Sequence, residues 1–119
     1  MNSARFTRRA RLSSKADFRK VFAQPVKSGD SYFTVLARPN TLGFTRLGLA
    51  ISRKSAQSAV VRNRIKRVIR ESFRHHQGEL GSLDIVVIGQ PQLGKHDNAV
   101  LFASLQRHWA RLIQRCALS

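Results

Sequence analysis

Acidic residues are scarce in this chain, and their scarcity leaves a large excess of positive charge. Among 119 residues there are 6 Asp and Glu against 22 Lys and Arg, which gives a formal net charge of +16. A folded domain with this charge repels itself unless an anion neutralises it. Arg supplies 16 of the cations, and its planar guanidinium fits phosphate oxygens bidentately. The composition favours nucleic acid over an anionic membrane, which would need an amphipathic surface helix or a lipid anchor.

Cysteine, long apolar runs and metal-binding spacings are also missing. A single cysteine, Cys116, excludes an internal disulfide framework and a Cys-rich metal site. Apolar runs such as Ile85–Ile88 are far too short to span a membrane. The acids are scattered and cannot be read as the paired carboxylates of a two-metal nuclease. His75 and His76 diverge by about 100° on a helix, so they do not form a converging acid–base pair. The sequence therefore predicts no active site within the protein.

The first 15 residues contain four Arg, three Ser and no acid. This composition is typical of a mitochondrial transit peptide, and it also suits a basic arm that contacts phosphate. We favour the arm, because signals of a folded domain begin directly after it. The sequence predicts one RNA-binding domain over residues 1–119, with a flexible basic arm at 1–12 and a short tail at 116–119.

The first predicted helix carries two aromatic residues on one face. Ser14 and Asp17 occupy the N-cap and N3 positions of a capping box. Phe18, Val21 and Phe22 follow at helical spacing. The pattern leaves two interpretations of Phe18 and Phe22, either as core residues or as groups that stack on single-stranded RNA.

Two strands are predicted next, over residues 32–38 and 46–52, and they are expected to pair as a hairpin. Side chains alternate between the two faces of a strand, so either Tyr32 or Phe33 is expected to face outward.

Helical periodicity returns from residue 59 to about residue 76, and Gly78 and Gly81 are predicted stop signals. A short buried strand at 83–89 and a last helix capped by Asp97 complete the chain. The predicted order is α-β-β-α-β-α. The predicted fold is an α/β (α+β) two-layer sandwich with helices packed on a small central sheet.

The central predicted helix separates an apolar face from a strongly basic one. Glu71 is the one acid among the cations of residues 61–74, whereas a merely solvated face, the alternative interpretation, normally mixes both signs. Asn63 adds a group that can both donate and accept hydrogen bonds, which suits a base edge or a 2′-hydroxyl. A strand precedes this helix, so the spacing of a DNA-binding helix-turn-helix is absent. These features favour RNA.

The same helix resembles the signature helix of the bacterial ribonuclease P protein family. Residues 62–67 read Arg-Asn-Arg-Ile-Lys-Arg, and Ile-Arg-Glu at 69–71 and Phe-Arg at 73–74 follow. The first helix and residues 46–54 are also similar to this family, and the similarity spans about residues 10–115.

The resemblance implies a fold and a function. It implies a left-handed βαβ crossover and a cytoplasmic protein that is one subunit of ribonuclease P, with one protein per RNA subunit. That ribonucleoprotein removes the 5′ leader of precursor tRNA, and its RNA subunit catalyses the reaction with Mg²⁺. The protein would bind the catalytic RNA and the leader, with no cofactor of its own and no membrane contact. A structural RNA-binding protein such as a ribosomal component and a stand-alone nuclease are the alternatives.

The resemblance also implies two groups of site residues. The expected contacts to the catalytic RNA are Arg53, Lys54, Arg62, Asn63, Arg64, Lys66, Arg67, Arg70 and Arg74. The expected leader cleft consists of Phe18, Phe22, Tyr32 and Phe33.

Overall fold

A computed structural model describes residues 11–12 and 14–117, and in this part of the chain three helices are combined with four strands. The elements, in order, are α1 (Lys15–Ala23), β1 (Val26–Gly29), β2 (Phe33–Pro39), β3 (Arg46–Ala50), α2 (Ala59–Leu80), β4 (Leu83–Gly89) and α3 (Asn98–Ala117). A short 3-10 turn at Leu93–Lys95 precedes α3. None of the described helices is long and apolar enough to cross a membrane.

The four strands form one sheet in the order β1-β2-β4-β3. β2 is antiparallel to both β1 and β4, and β3 is parallel to β4. The predicted hairpin of β2 with β3 is therefore wrong, because β4 lies between them. Residues 83–87 of β4 are all buried, so this strand needs a neighbour on each side and a helix layer on each face. The β3-α2-β4 unit is the parallel crossover that the resemblance implies. The left-handedness of this crossover stays a prediction.

Strand β1 occupies a segment for which the sequence predicts no strand. Its four residues lie directly after Pro25 and end at Gly29, and such a short run has no readable alternation. Its backbone pairs with β2 from Val26 to Gly29, so the sheet gains an edge strand.

Helix α2 extends four residues beyond its predicted end. Gly78 lies inside the helix, where glycine costs about 1 kcal/mol relative to alanine but does not prevent helix formation. Leu80 is buried and holds the last turn against the core. Gly81 ends the helix with a left-handed φ of 73°, as its predicted stop role requires. The Thr45 hydroxyl donates to the carbonyl of Gln77 at 3.1 Å and so satisfies a carbonyl of the last turn.

Helices cover both faces of the sheet. The main core lies between the sheet and helices α2 and α3, and it includes Phe33, Ile85 and Trp109. A smaller apolar cluster lies on the opposite face, where α1 packs over Leu36 and Val86. The predicted α+β sandwich with helices packed on a small sheet is confirmed, with α1 on one face and the longer helices on the other.

The chain enters the described fold beside strand β3. Leu12 is buried, and its N–H donates to the carbonyl of Leu47 at 2.8 Å. Arg11 and Leu12 thus belong to the folded domain, and the rest of the predicted arm, residues 1–10, lies outside the described residues. At the other end, Cys116 is part of α3 rather than of a separate tail.

Candidate nucleic-acid interface

The orientation of α2 is set by its buried face. Ile65, Ile69 and Phe73 are fully buried at helical spacing against the sheet and α3. Ser72 lies on the same face, and its hydroxyl accepts a hydrogen bond from the indole N–H of Trp109 at 2.8 Å. These contacts fix the rotation of the helix about its axis, so the basic face points away from the core.

Four polar residues make up the outward part of α2, and we call this group the α2 basic face: Asn63, Lys66, Arg67 and Arg70. Among the described residues, no carboxylate forms an ion pair with any of these three cations. Burial, and then the nearby charge of Arg11, lower the pKa of Arg70 below its ordinary value. The surface thus holds like charges close together without a counter-ion, which is the electrostatic condition that a phosphate would relieve.

Two other arginines of the signature segment use their guanidinium groups inside the fold. Arg62 donates to the carbonyls of Ala56 and Gln57, at 3.0 and 2.7 Å. Arg64 donates to Asn98 Oδ1 at 2.6 Å and to the carbonyl of Gly94 at 3.0 Å. Arg62 therefore orders the loop before α2, and Arg64 fastens α2 to the segment that leads into α3.

Arg74, at the other end of the predicted set, is paired with an acid. Its Nε and Nη2 donate to the two carboxylate oxygens of Glu71, at 3.2 and 2.6 Å. The hydrogen bond from Arg74, and a further one with His75, keep the pKa of Glu71 below its ordinary value, so the carboxylate stays ionised. Glu71 thus limits the positive charge at the C-terminal end of the α2 basic face.

Arg53 and Lys54 lie exposed in the loop between β3 and α2. They line a concave surface with Lys95, which follows β4, and with the first residues of α2. Lys95 was not among the predicted site residues, and it adds a third cation to this concavity.

The opposite face of the sheet carries the aromatic residues of α1. Phe22 is 49% exposed, whereas Phe18 is half-buried and contacts the small apolar cluster. Phe18 also packs directly on Gly48, where a Cβ atom would lie 2.6 Å from the phenyl Cζ. A pocket joins Phe18 and Gly48 to Lys66 and Arg70 across the edge of β3. Apolar and cationic groups therefore share one continuous surface.

Tyr32 and Phe33 do not belong to this aromatic surface, so their assignment to the predicted cleft is wrong. Phe33 is fully buried in the main core, because its position on β2 points toward α3. Tyr32 packs against the same core and contacts the ring of His96 edge-on, with centroids 4.8 Å apart. On β2 the residues that face α1 are Thr34 and Leu36, which alternate with the core residues.

An ion pair and a hydrogen bond position α1 over the sheet. Arg46 on β3 donates to both carboxylate oxygens of Asp84, at 2.8 and 2.7 Å, and its third nitrogen donates to Asp17 of α1 at 3.1 Å. The Arg38 side chain donates to the carbonyl of Lys20 at the end of α1, at 2.7 Å. Two points on the sheet thus hold α1, and they determine where Phe18 and Phe22 lie.

A buried Ser-His-Asp group joins α3 to the first strand. Ser28 Oγ lies 2.7 Å from His108 Nδ1, and Asp30 Oδ2 lies 3.2 Å from His108 Nε2. The arrangement is similar to a hydrolase triad, but Ser28 is 1% exposed and His108 is fully buried, so no substrate reaches the hydroxyl. The described residues contain no group of three or more His, Cys, Asp and Glu that could hold a metal ion.

Sequence reasoning missed two contributors, Gly48 and Lys95, and only the first carried a readable signal. Gly48 lies inside a predicted strand, and a glycine there often marks a close approach of another group. Here that group is Phe18. Lys95 lies next to Gly94, where a Cβ atom would meet Val61 of α2 at 2.7 Å, so the loop approaches the helix closely. No pattern in the sequence showed that this loop faces Arg53.

Comparison with curated proteins finds close relatives. A sequence model of the ribonuclease P family matches residues 6–113. The ribonuclease P protein component of Methylococcus capsulatus is 50% identical over 112 residues, which cover 94% of this chain and 88% of the relative. The component of Nitrosococcus oceani is 45% identical and covers 94% of each chain.

Solved structures show the same architecture. The ribonuclease P protein of Thermotoga maritima superposes with a TM-score of 0.77 at 34% identity, covering 85% of this chain and 98% of that one. The Staphylococcus aureus protein gives the same TM-score at 30% identity, covering 82% and 90%. Sequence and fold agree, and the chain belongs to the ribonuclease P protein family.

Proposed function

We propose that this protein is the RNA-binding subunit of ribonuclease P and acts in 5′ processing of tRNA without an active site of its own. That processing is the role of the family to which the chain belongs. In this proposal the RNA subunit carries out the hydrolysis with Mg²⁺, one protein binds each RNA subunit, and the protein needs no cofactor.

The observation that carries the proposal is the α2 basic face. Lys66, Arg67 and Arg70 lie on one side of a helix that the core holds rigidly, and no carboxylate among the described residues neutralises them. Bringing phosphates to this face would relieve the repulsion and release the counter-ions held by the RNA. Asn63 lies beside them and could contact a base edge or a 2′-hydroxyl.

The surface around α1 suits a single-stranded leader. Phe22 exposes half of its ring, and Phe18 lines a pocket that also contains Lys66 and Arg70. An aromatic ring next to cations is the combination by which proteins bind single strands without strict sequence preference. We therefore assign the leader to the α1 side of the sheet and the catalytic RNA to the outward side of α2.

The direct test is cleavage of precursor tRNA at low Mg²⁺ by a bacterial ribonuclease P RNA, with and without this protein. We expect the protein to raise the rate of 5′ cleavage and to produce no cleavage when the RNA subunit is omitted. Lack of stimulation would contradict the proposal and favour a structural RNA-binding role, whereas cleavage by the protein without the RNA subunit would indicate a stand-alone nuclease.

Two phenylalanine substitutions test the leader assignment. Phe22→Ala should weaken binding of precursor tRNA with a long leader more than that of tRNA with no leader, while stability changes by no more than about 1 kcal/mol, since half of the ring is already in water. Phe33→Ala should instead cost about 3–5 kcal/mol, because it leaves a cavity in the core. Urea unfolding measures the stabilities of both variants. If Phe22→Ala weakened the binding of the two tRNA substrates equally, the leader assignment would be refuted.

A further inference from the structure

Helix α3 carries a second line of arginines, beside the sheet edge that β1 forms. The helix runs antiparallel to β1, and each of the three arginines meets a different residue: Arg115 meets Lys27, Arg111 meets Gly29, and Arg107 meets Asp30. We call these three arginines, together with Lys27, the α3 arginine row. None of them belongs to the residues assigned to the leader or to the catalytic RNA.

Hydrogen bonds to the strand hold two of these guanidinium groups in place. Arg111 donates to the carbonyl of Gly29 at 3.4 Å, and Arg115 donates to the carbonyl of Lys27. These carbonyls point outward from the edge of the sheet, where no further strand pairs with β1 among the described residues. A guanidinium has five N–H donors, so a contact through one nitrogen leaves others for an external acceptor. Holding the side chain in advance lowers the entropy that binding would cost.

The spacing of the row suits successive phosphates on one strand. Arg107, Arg111 and Arg115 are four residues apart, so their backbones are separated by about 6 Å along the helix at each step. Side chains at this spacing share one face of the helix. The Arg107 side chain is 52% exposed, and Lys27 and Arg115 are also exposed. The row therefore presents a line of cations rather than a single charged point.

Asp30 is the described acid that lies near the row, and its carboxylate already accepts hydrogen bonds from other groups. Asp30 accepts hydrogen bonds from the Ser104 hydroxyl at 2.6 Å and from the N–H groups of Tyr32 and Phe33, at 2.8 and 2.9 Å. Its nearest approach to Arg107 is a looser 3.6 Å. Asp30 thus offsets one charge at one end and leaves the rest of the row strongly positive.

The row and the α2 basic face lie on different sides of the molecule. β1 and β3 are the two outer strands of the sheet, separated by roughly 14 Å across three strand spacings. Lys66 and Arg70 of α2 lie beside β3, whereas the arginines of α3 lie beside β1. The row therefore lies beside the opposite sheet edge from Lys66 and Arg70.

We propose that the α3 arginine row is a second RNA-binding surface, which contacts the phosphate backbone of an RNA segment separate from the one on α2. The protein then bridges two RNA segments and holds them on opposite edges of its sheet. The inference rests on the proposed function only in taking RNA as the partner.

The first experiment removes the charges but keeps hydrogen-bond donors for the carbonyls of β1. In the triple variant R107Q/R111Q/R115Q, each Gln amide can still donate a hydrogen bond. With ribonuclease P RNA as the probe, we expect the slope of log K against log salt concentration to become shallower by up to about 2 units, at about 0.7 unit per lost phosphate contact. An unchanged slope in a folded variant would show that the row only covers the strand edge, and would overturn the proposal.

The control variant is Q106A/Q114A, which alters exposed neutral residues of the same helix and should leave the slope unchanged. Circular dichroism melting of all variants separates loss of binding from loss of fold. If the triple variant unfolds, Arg107→Gln is used instead, because Arg107 makes no bond to the β1 carbonyls. It should make the slope about 0.7 unit shallower, and no change would again count against the row.

Directed cleavage of the RNA tests the bridging. An iron chelate that generates hydroxyl radicals is attached to Gln114→Cys or to Asn63→Cys, each in a Cys116→Ser background. We expect the two positions to cleave different segments of the ribonuclease P RNA. Cleavage of the same nucleotides from both, or none from position 114, would overturn the proposal. If the protein binds RNA at both surfaces but does not stimulate tRNA processing, the proposed function fails and the second surface stands.

Discussion

At the scale of single residues, basic side chains of the same type have different contacts in the structure. Arg64 uses both terminal nitrogens on acceptors within the fold, and Arg74 is bound to Glu71. Arg67, in the same helix, is exposed and has no ion-pair partner among the described carboxylates. Charge alone predicts the same role for all three, whereas the structure gives Arg64 and Arg74 partners within the fold and gives Arg67 no ion-pair partner among the described carboxylates.

The first prediction compares Arg67→Ala with Arg64→Ala. Arg67→Ala should leave the free energy of unfolding within about 0.5 kcal/mol, since it is an exposed residue, and should make the salt slope of RNA binding shallower by about 0.7–0.9 unit. Arg64→Ala should destabilise the fold by about 0.5–1.5 kcal/mol, because the hydrogen bonds that join α2 to Gly94 and Asn98 are lost. Urea unfolding and salt titrations measure both effects, and the reverse result would refute the distinction.

The second prediction concerns acid stability and Asp30. Burial opposes ionisation of Asp30, but hydrogen bonds from Ser104 and from the N–H groups of Phe33 and Tyr32 outweigh it and lower its pKa to about 2. Because the folded pKa is below the unfolded value, this stabilisation is present above pH 4 and is lost as the pH falls from about 4 to 2. It amounts to about 2 kcal/mol.

Asp30→Asn is the variant that tests this linkage. Its unfolding free energy should fall less steeply between pH 4 and pH 2 than that of the native chain, because the titrating carboxylate is gone. Parallel curves in this range would mean that Asp30 contributes nothing to the acid sensitivity. Burial also lowers the pKa of His108, but its contribution begins to fall near pH 6.5, so it can be followed separately.

At the scale of secondary-structure elements, the sequence predicts the helices better than the sheet. The caps at Ser14 and Asp97 form as predicted, with side-chain oxygens accepting from backbone N–H groups three residues later. Helix signals are local, so a single chain displays them. The pairing of β2 with β4 depends on contacts about 50 residues apart, which no local pattern encodes.

The basic face of α2 was predictable for the same reason, whereas the composition of the aromatic surface was not. Periodicity places Lys66, Arg67 and Arg70 on one side of the helix. Whether Phe33 faces α1 or α3 depends on which side of β2 each helix covers, and this is a property of the assembled sheet.

The third prediction uses two glycines to probe how α1 packs on β3. Gly48→Ala would bring a Cβ atom to 2.6 Å from Phe18 and 3.1 Å from the Leu12 carbonyl, so α1 or the ring must shift, at a cost of about 1–3 kcal/mol. Gly78→Ala is the matched control, because a Cβ there meets nothing within 4 Å inside a helix, and it should stabilise by about 0.5–1 kcal/mol. Thermal melting shows whether each substitution stabilises or destabilises the protein. Equal effects of the two substitutions would contradict the close packing of Phe18 on Gly48.

At the scale of the whole molecule, a net charge of +16 is the largest constraint on behaviour. Two of the acids, Asp17 and Asp84, are bound to Arg46, and Glu71 is bound to Arg74. The described acids therefore serve the fold locally and do little to reduce repulsion between distant cations. RNA would supply the missing negative charge, so binding and stability are coupled.

The fourth prediction follows from this repulsion. The melting temperature of the protein without RNA should rise between about 20 and 300 mM NaCl, because salt screens the unfavourable like-charge interactions. Once ribonuclease P RNA is bound, the trend should reverse, since salt weakens the complex. A melting temperature of the free protein that falls with salt would indicate that its ion pairs outweigh the repulsion. Differential scanning calorimetry measures both series.

The central position of β4 has a consequence for how the protein is made. β3 pairs with no strand other than β4 among the described elements, and β2 also needs β4 on its inner side. During translation, the sheet is incomplete until residue 89 has left the ribosome, and α2 is synthesised before the surface on which it packs. When α2 has left the ribosome but β4 has not, the nascent chain exposes a cationic amphipathic helix next to ribosomal RNA. We expect α2 to bind this RNA until β4 emerges.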